Sequence, residues 1–519
     1  MDAIVLRVRS FATTPLLKEV VHMYGFSTIF TLCALYCFSY IVYNLYFHPL
    51  AGYPGPLLAR STLLWRIIYS SGGRFHRAID EEHKRYGPVF RVSPNELSFA
   101  SVGSWKDIYG HPVGGKHHIK SKFYEIYGSG YRSLCVGSER DPKRHSAMKK
   151  NLSAAFSTKA LLEQESIVNA CVDNFVKKIG EQEKSRNGGL NMTKWFEMIS
   201  FDILGEMAFG ESFHAVDQGK PHFWSELIVK HLFFITVLDN LRRYPLFVTL
   251  GKMFLPFATV SVRNKHSGYS RKQVEHRLSN KSARKDFLTN LVAKVENGEV
   301  EKEEMTAHTS TLVIAGGETT STFLAAVTYY LLNTPDAYAR LQEEIRTSFK
   351  AYNDINAASA QQLPYLQAVI SEGLRMYAPG SQGFPRESAG AMIDGYWVPK
   401  GCEMYTSAWT VTHDAKYFHD PMTFKPERWI DPTCTDVKEA SQPFSLGTRA
   451  CLGRNFAYVE MNLILAKMHW TYDMELVDKD LDWEGSSHMH VMWWKPSLPV
   501  VFKKAVHIQE EQVSKRTTP

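Results

Sequence analysis

One cysteine of the sequence lies in a setting that favours chemistry at its sulfur. Cys451 has Gly447 four residues before it and Gly453 two residues after it, and a helical pattern follows from Asn455. Glycine lets the backbone turn tightly, so that its N–H groups can approach a sulfur. Amides and a helix N-terminus placed in this way lower the pKa of a thiol and hold it as thiolate. The pattern predicts a nucleophile or an axial ligand of iron.

The other cysteines show no comparable setting. They are few and widely spaced and form no CxxC pair, which excludes a disulfide framework and a zinc site of that kind. So few and scattered cysteines are typical of a protein in a reducing compartment. We expect them to be buried free thiols, which are common in protein cores: Cys33, Cys37, Cys135, Cys171, Cys402 and Cys434.

A second group of candidate residues lies within a long apolar stretch. Met305–Leu332 predicts one helix, closed by Pro335, with Gly316 and Gly317 near its middle. Each of these glycines costs about 1 kcal/mol of helix stability. The pair therefore predicts a local opening of the helix. A glycine pair that serves packing alone is the alternative.

Three side chains beside this glycine pair could act on a ligand. Ala315 and Thr319 are one helical turn apart and share a face. Glu318 places a carboxylate in an apolar run.

A third pattern is an ion pair along a helix. Glu372 and Arg375 are three residues apart, so their charges meet on one face of a helix that begins near Pro364. Taken alone, this spacing is also typical of exposed ion pairs, which contribute little stability.

An apolar segment precedes the region that carries these residues. Residues 23–47 contain no Asp, Glu, Lys or Arg, and Tyr24 and Tyr46 lie near the segment's ends. About 20 such residues span a bilayer, and aromatic side chains favour its two interfaces. The segment predicts a retained transmembrane anchor, with a buried core helix or a cleaved signal peptide as the alternatives. Basic residues flank both sides, so charge does not fix the orientation.

The remaining chain predicts a mainly α body with a minor β portion. The Pro-rich residues 48–56 cannot continue a helix and predict a stiff hinge that lifts the body off the membrane. Helical periodicity dominates residues 150–375. Strands are predicted on both sides of Ser93-Pro94-Asn95, at a hairpin at Asp394-Gly395, and after Val491.

The predicted organisation has five parts. They are an N-terminal segment (1–22), the anchor (23–47), the hinge (48–56), the catalytic body (57–505) and a polar tail (506–519).

The composition is that of an ordinary folded protein. The 519 residues are 44% hydrophobic and 22% charged, with a formal net charge of +7, which excludes a disordered or fibrous chain. The positive charge is scattered, without the concentrated basic stripe that nucleic-acid binding requires. The cluster Lys143–Lys150 could dock an acidic protein, or it could be a solvated helix face.

The loop of Cys451 resembles the haem-binding loop of the cytochrome P450 family. The shared pattern is Phe444-x-x-Gly447-x-Arg449-x-Cys451-x-Gly453, which is specific in a chain of this length. The resemblance implies a P450-like fold preceded by a transmembrane helix, with Cys451 as the thiolate ligand of haem b. It further implies that Phe444 packs beside this ligand and that Arg449 pairs with a haem propionate.

The glycine-containing helix is similar to the family's oxygen-binding helix. Its sequence Ala315-Gly316-Gly317-Glu318-Thr319-Thr320 fits that pattern. The resemblance implies that Thr319 hydrogen-bonds dioxygen and that Glu318 takes part in relaying protons to it. It implies that Ala315 and Gly316 leave room for substrate and dioxygen.

Other carried-over residues concern structure and haem contacts. The family's Glu-x-x-Arg, joined by the Arg of a Pro-Glu-Arg segment, implies a buried network of Glu372, Arg375 and Arg428 that fixes the loop of Cys451. By the same resemblance, haem contacts are expected from Arg386, His145 and Lys149. Lys149 stands where the family has an arginine, and lysine lacks the planar fork of the arginine guanidinium.

The resemblance implies a monooxygenase of the type found in fungal secondary metabolism. Such an enzyme hydroxylates or epoxidises a lipophilic terpenoid, polyketide or alkaloid with O2. The sequence has no Gly-x-Gly-x-x-Gly dinucleotide pattern, so electrons are expected from an NADPH–cytochrome P450 reductase, docked at Arg454 and Lys143–Lys150. The expected location is the endoplasmic reticulum membrane, with a single span and a cytoplasmic catalytic body.

Two other functions stay open at this level. One is a haem-thiolate isomerase or dehydratase, which would not need the pair Glu318-Thr319. The other is a non-catalytic membrane haem protein, which would not need a substrate cavity beside Gly316.

Overall fold

A computed structural model describes residues 15–111, 117–127, 130–183, 188–244, 264–280 and 286–508. Within these ranges the chain forms a mainly helical body with four small sheets, which agrees with the predicted class. Residues 1–14 of the predicted N-terminal segment and 509–519 of the predicted tail lie outside the described residues.

Helices form most of the body. Several begin with proline in the first turn, where its missing N–H has no intrahelical partner to lose. The α-helices are Pro15–Val42, Leu57–Ser61, Leu64–Ser71, Phe75–Tyr86, Val102–Tyr109, Phe123–Tyr127, Pro142–Ser153, Thr158–Glu183, Met192–Phe209, Ala215–Gln218, Phe223–Leu241, 264–279, Thr289–Glu296, Lys302–Leu332, Pro335–Ser348, Ala357–Ala360, Pro364–Met376, Ala408–Thr412, Arg454–Thr471 and Trp483–Ser486. Short 3-10 turns are Ala154–Phe156, Tyr352–Asp354, Pro426–Trp429, Lys438–Ala440 and Gly447–Arg449.

Strands lie near each of the places predicted from the sequence, and five further strands were not predicted: Ile119–Lys120, Leu190–Asn191, Arg386–Glu387, Glu403–Thr406 and Tyr472–Leu476. The largest sheet has five strands, in the order Val89–Ser93, Glu96–Phe99, Glu403–Thr406, Arg386–Glu387 and Ile119–Lys120. Its second and third strands are parallel, and the other pairs are antiparallel. The smaller sheets are Leu190–Asn191 with Pro499–Lys504 and Tyr472–Leu476, the hairpin Ala391–Ile393 with Tyr396–Val398, and the hairpin His488–His490 with Met492–Trp494.

The N-terminal helix begins earlier than predicted. It starts at Pro15, before Met23, and continues to Val42, where a π-helical turn, Tyr43–Phe47, ends it. Ser27–Phe47 is long and apolar enough to cross a membrane, with a mean hydropathy of 1.5, and little of it is buried in the protein. This exposure fits an anchor and does not fit the alternative of a core helix.

The cysteines differ from the prediction in their burial. Cys33 and Cys37 lie on the N-terminal helix and are exposed, so the expectation of buried thiols is wrong for these two. Cys171 and Cys434 are half-buried, whereas Cys135 and Cys402 are buried. No disulfide bond joins any of these cysteines in the structure.

The predicted hinge is packed against the body. The Arg91 guanidinium donates a 2.7 Å hydrogen bond to the carbonyl of Asn44, at the end of the anchor. The Tyr53 hydroxyl donates a 2.6 Å hydrogen bond to the carbonyl of Trp397. The backbone N–H of Arg91 also donates to the Pro54 carbonyl at 2.8 Å, so segment 48–56 is a packed connection between the anchor and the body.

A central helix, Lys302–Leu332, runs without a break through the body. Helix Met192–Phe209 packs against it at Gly316 and Gly317, and a Cβ on Gly317 would lie 2.7 Å from the ring of Phe201. The glycines permit this close approach of two helices. The predicted local opening is therefore wrong. The glycine pair serves packing, and Gly316 also lines the cavity described below.

The main hydrophobic core surrounds the central helix. Its buried side chains are supplied by several helices, chiefly Thr158–Glu183, Met192–Phe209, Lys302–Leu332, Pro364–Met376 and Arg454–Thr471. These helices bring the central helix close to the loop that precedes Arg454.

Candidate active site

A cavity of about 410 Å³ lies between the central helix, the loop of Cys451 and the segment 379–386. This volume is within the range of small-molecule pockets, about 300–1,000 Å³. Most of the predicted site residues line it: Ala315, Gly316, Thr319, His145, Lys149, Arg386, Phe444, Arg449, Cys451 and Gly453. Among the described residues, Glu318, Gly447 and the predicted ion network lie behind its wall.

The loop of Cys451 presents the sulfur to the cavity. The turn Gly447–Arg449 precedes it, and helix Arg454–Thr471 begins directly after it. The backbone N–H groups of Gly453 and Arg454 donate to the sulfur and lower its pKa, but burial has the larger effect and raises this pKa. The predicted net lowering is therefore wrong for the polypeptide alone. Coordination to a metal cation would favour the thiolate.

Gly447 is required by the shape of this loop. Its φ is +68°, a left-handed conformation that side chains disfavour. A Cβ at this position would also overlap the carbonyl oxygen of Tyr109. On the neighbouring segment, the ring of Phe444 lies 5.5 Å from that of Tyr458 and 5.7 Å from the Arg454 guanidinium.

A cluster of basic side chains lines the same cavity. It comprises the predicted residues His145, Lys149, Arg386 and Arg449. Lys120, which the sequence analysis missed, also belongs to it. Burial and the neighbouring cations lower the pKa of Arg449 to about 10 and that of His145 to about 3. An anion bound here would relieve this repulsion.

Two members of the cluster also hold main-chain carbonyls. The Arg449 guanidinium donates to the carbonyls of Glu139 and Arg140, at 2.7 and 2.8 Å. Lys149 Nζ donates to the Thr448 carbonyl at 2.8 Å. Lys149 therefore braces the loop beside Cys451, a role that an ammonium can fill without the planar fork of arginine.

The central helix supplies part of the cavity wall. Ala315 is exposed to the cavity, and the Thr319 hydroxyl donates a 2.6 Å hydrogen bond to the Ala315 carbonyl. The Thr319 oxygen keeps its lone pairs for a ligand in the cavity.

Glu318 projects away from the cavity into a buried ion pair. Its carboxylate contacts Lys495 Nζ, which also donates to Thr322 Oγ1 at 2.9 Å. Both side chains are almost fully buried. Burial raises the pKa of Glu318, while the Lys495 ammonium acts in the opposite direction.

The predicted ion network is assembled and buried. Arg375 Nη2 lies 2.8 Å from Glu372 Oε1, and Arg428 Nε lies 3.0 Å from the same oxygen. Trp429 Nε1 donates to Glu372 Oε2 at 2.8 Å, and Arg428 contacts Asp436. The network joins the helix Pro364–Met376 to the turn Pro426–Trp429.

Several residues of the site have no signal in the sequence. Lys120 reaches the cavity because its strand pairs with that of Arg386. Lys495 reaches Glu318 from a distant C-terminal segment. Asp436 and Trp429 follow Arg428 within the same segment. Only this proximity in sequence could have suggested that they belong to the ion network.

The residues present fit a haem group. A lone sulfur faces a mostly apolar cavity, and basic side chains that line the same cavity are available for two carboxylates. The site offers a thiolate for iron and cations for propionates, which is the donor set that haem requires.

Comparison with known proteins gives the same assignment. The cytochrome P450 family model matches residues 54–498. Cytochrome P450 monooxygenase ORF9 of Penicillium roqueforti is 63% identical over 467 residues, covering 90% of this chain and 92% of that protein. Cytochrome P450 monooxygenase BOT4 of Botryotinia fuckeliana is 55% identical over 463 residues, covering 89% of this chain and 88% of that protein. The chain therefore belongs to the cytochrome P450 family and is a haem-thiolate monooxygenase.

Proposed function

We propose that this chain is a membrane-anchored monooxygenase of fungal secondary metabolism that hydroxylates or epoxidises a lipophilic terpenoid, polyketide or alkaloid. The observation that carries the proposal is that the Cys451 sulfur and the Thr319 hydroxyl open into one mostly apolar cavity. Such a cavity binds a lipophilic ligand by burying its surface. The high sequence identity to fungal cytochrome P450 monooxygenases supports the proposal that this chain acts in fungal metabolism.

The chain's own residues would hold the cofactor in this cavity. When bound, haem supplies the redox chemistry that activates dioxygen. Cys451 would hold the iron, and Phe444 would pack beside the sulfur. Arg386, Arg449 and His145 would bind the propionates, with Lys120 as a further cation at the same wall.

Glu318 and Thr319 would manage proton delivery. The Thr319 hydroxyl is placed at the cavity, where it can pass a proton to or from a ligand. Glu318 lies behind it and is held by Lys495. Its carboxylate would therefore have to turn away from Lys495 before it exchanges a proton with the cavity.

The electrons would come from an NADPH–cytochrome P450 reductase on the same membrane. The side chains of Lys143, Arg144, Lys150 and Arg454 are exposed. Their positive charge would dock an acidic face of the reductase close to the loop of Cys451. The single N-terminal apolar helix would anchor the chain in the endoplasmic reticulum, with the body in the cytoplasm.

Reconstitution tests this function. Microsomes that contain the chain and a reductase should show the carbon monoxide spectrum of a haem thiolate and should consume NADPH and O2. Cys451→Ala should lose that spectrum while it keeps the helical circular dichroism of the wild type. A product formed without NADPH or O2 would instead indicate an isomerase or dehydratase.

Metabolite comparison identifies the substrate. A strain that lacks the gene should accumulate a lipophilic precursor that is one oxidation level below the parent strain's product. That precursor, added to the reconstituted microsomes, should gain one oxygen atom from O2. Full conversion in the strain that lacks the gene would contradict the proposal.

A further inference from the structure

A group of buried tyrosine and tryptophan rings begins directly behind the cavity wall. Trp493 follows Met492, which lines the cavity. The Trp493 ring stacks on that of Tyr377, with ring centroids 4.1 Å apart. The Tyr377 ring in turn lies 5.3 Å from that of Trp483. All three rings are almost fully buried. The proposed substrate oxidation uses none of them, although tyrosine and tryptophan have the most easily oxidised aromatic side chains.

The rings continue in contact from Trp483 toward the protein surface. The Trp483 ring lies 5.6 Å from that of Tyr329, which is half-buried. The Tyr329 ring lies 5.4 Å from that of Tyr330. Centroid distances of this size are those of rings in direct contact. The contacts therefore join five rings, named here the ring series, between the cavity wall and the surface: Trp493, Tyr377, Trp483, Tyr329 and Tyr330.

The outer end of the ring series has an acceptor for a proton. The Tyr330 hydroxyl donates a 2.5 Å hydrogen bond to Glu484 Oε2. A phenol that loses an electron becomes strongly acidic and has to release its proton, and this carboxylate is in place to take it. Burial, together with the carboxylates of Glu484 and Asp482, raises the pKa of Tyr329. The same negative charges favour the loss of an electron at this end.

Two tyrosines that line the cavity itself lack these features. They are Tyr124 and Tyr405. Lys120 Nζ lies 4.7 Å from the centroid of the Tyr124 ring, and the Tyr124 hydroxyl accepts a hydrogen bond from Arg386. These positive charges oppose the loss of an electron. The Tyr405 hydroxyl is buried, and no carboxylate of the described residues accepts a hydrogen bond from it. The ring series is therefore the better donor of an electron to the cavity.

We propose that the ring series is an electron path that discharges an oxidant formed at the haem when no substrate is oxidised. Tyr330 loses an electron, and its proton moves from the hydroxyl to Glu484. The electron passes inward through the other rings of the series and reduces the oxidant by one electron. A water-soluble reductant such as ascorbate then gives one electron to the outer end, and Tyr330 recovers its proton from Glu484.

This path would protect the enzyme from damage by its own oxidant. Two such transfers, together with two protons from the solvent, reduce the oxidant to water. The inference goes beyond the proposed function, because it does not depend on which substrate the enzyme oxidises.

Electron paramagnetic resonance tests the path without substrate, reductase or turnover. The haem-loaded protein is mixed with a peracid, which supplies the oxidant directly, and is rapidly frozen. We expect a tyrosyl radical signal in the wild type. Trp483→Phe should lose this signal, because phenylalanine fills the position but is far harder to oxidise than tryptophan. A wild type without a tyrosyl signal, or a full signal in Trp483→Phe, would overturn the proposal.

Trp470→Phe is the matched control. Trp470 is also buried, and its Nε1 donates to the Phe349 carbonyl at 3.1 Å, as Trp483 Nε1 donates to the Pro496 carbonyl at 3.0 Å. Each change therefore removes one indole and one hydrogen bond, but Trp470 lies outside the ring series. Trp470→Phe should keep the tyrosyl signal, and its loss there would contradict a path through Trp483.

Two milder variants keep the test open if Trp483→Phe fails to fold. Tyr377→Phe retains the stacked ring and removes only the hydroxyl, and it should also lose the signal. Glu484→Gln retains every ring of the series but removes the carboxylate that takes up the proton, so the yield of the radical should fall. Wild-type yields of the radical in both variants would overturn the proposal.

The stability of the haem toward peroxide tests the protective role. With ascorbate present and substrate absent, the haem absorbance should be lost faster in Trp483→Phe than in the wild type. Trp470→Phe should follow the wild type. Omitting ascorbate should remove most of this difference, because the ring series then receives no electrons. Equal rates of haem loss in all three proteins with ascorbate would contradict the protective role.

Discussion

The hydroxyl of Thr319 combines a structural bond with exposure to the cavity. It donates to the Ala315 carbonyl at 2.6 Å, so its oxygen is held toward the cavity as an acceptor. In Thr319→Ala this oxygen is lost, and haem binding should not change. We expect NADPH use to continue while product per NADPH falls by about tenfold, the effect of about 1.4 kcal/mol, and hydrogen peroxide rises.

Thr319→Ser is the control for this prediction. Serine keeps the hydroxyl and should retain most of the coupling between NADPH and product. Both variants are compared by carbon monoxide spectra, NADPH consumption and quantified product. Full coupling in Thr319→Ala would contradict a role of this hydroxyl in proton delivery.

Residues whose role is set by local spacing could be predicted from the sequence. Gly447 and Cys451 belong to one loop, and the structure places that loop at the cavity. Lys495 could not be predicted in this way. It looks like an ordinary polar residue in its own segment, and only the packing of distant elements gives it the buried partner Glu318.

The central helix and helix Met192–Phe209 approach closely at the glycine pair. A Cβ on Gly317 would meet the Phe201 ring at 2.7 Å. Gly317→Ala should therefore destabilise the protein by about 1–3 kcal/mol through overpacking, although alanine is the better helix former. Thermal unfolding of the haem-loaded protein measures the loss.

A double-mutant cycle identifies the cause of this loss. Phe201→Leu alone should destabilise the protein by leaving a cavity. Combined with Gly317→Ala, it should restore part of the stability, because the added methyl group then has room. Additive losses would show that the helices do not meet at this point as described.

Helices and strands were predicted well where the sequence contains a helix-ending or turn residue, or an alternation of apolar and polar residues. The hairpin at Asp394-Gly395 and the helix starting at Pro364 are examples. The effect of Gly316 and Gly317 was misjudged, since the cost of glycine in an isolated helix does not include the partner helix that glycine admits. The packing of segment 48–56 was missed for the same reason, because its partners Arg91 and Trp397 lie elsewhere in the chain.

For the molecule as a whole, buried neutral histidines set the response to acid. Burial lowers the pKa of His76, His413 and His469 to about 3 and that of His83 to about 4. Since the unfolded chain binds these protons near pH 6.5, stability is complete above that pH and is lost as the pH falls toward 4. Each group contributes about 3 kcal/mol to the loss at pH 4.5.

His469→Phe tests this account of acid sensitivity. Both ring nitrogens of His469 are buried without a hydrogen-bond partner among the described residues, so phenylalanine removes no hydrogen bond. The variant should lose less stability than the wild type between pH 7 and 4.5, measured by thermal unfolding. His111→Gln at an exposed site should follow the wild type. Equal acid sensitivity in all three proteins would contradict the prediction.

The attachment of the body to the anchor predicts how the molecule meets a membrane. Asn44 at the end of the anchor donates a 3.0 Å hydrogen bond to the Ser61 carbonyl. The helices beside this contact carry Leu57, Leu64 and Ile68, whose side chains are 67%, 49% and 58% exposed. We therefore expect the body to rest on the bilayer through these side chains, each contributing about 1.5 kcal/mol of apolar burial.

A chain that begins at Tyr43 tests this contact without the transmembrane helix. It should still bind phosphatidylcholine vesicles in a flotation assay, and each change of Leu57, Leu64 or Ile68 to Gln should weaken binding by about tenfold, since 1.4 kcal/mol corresponds to that factor. Met422→Gln, at another side chain that is 61% exposed, should leave binding unchanged. If the shortened chain stays unbound, or if Met422→Gln weakens binding equally, the body does not rest on the membrane at this face, and the anchor alone holds the enzyme there.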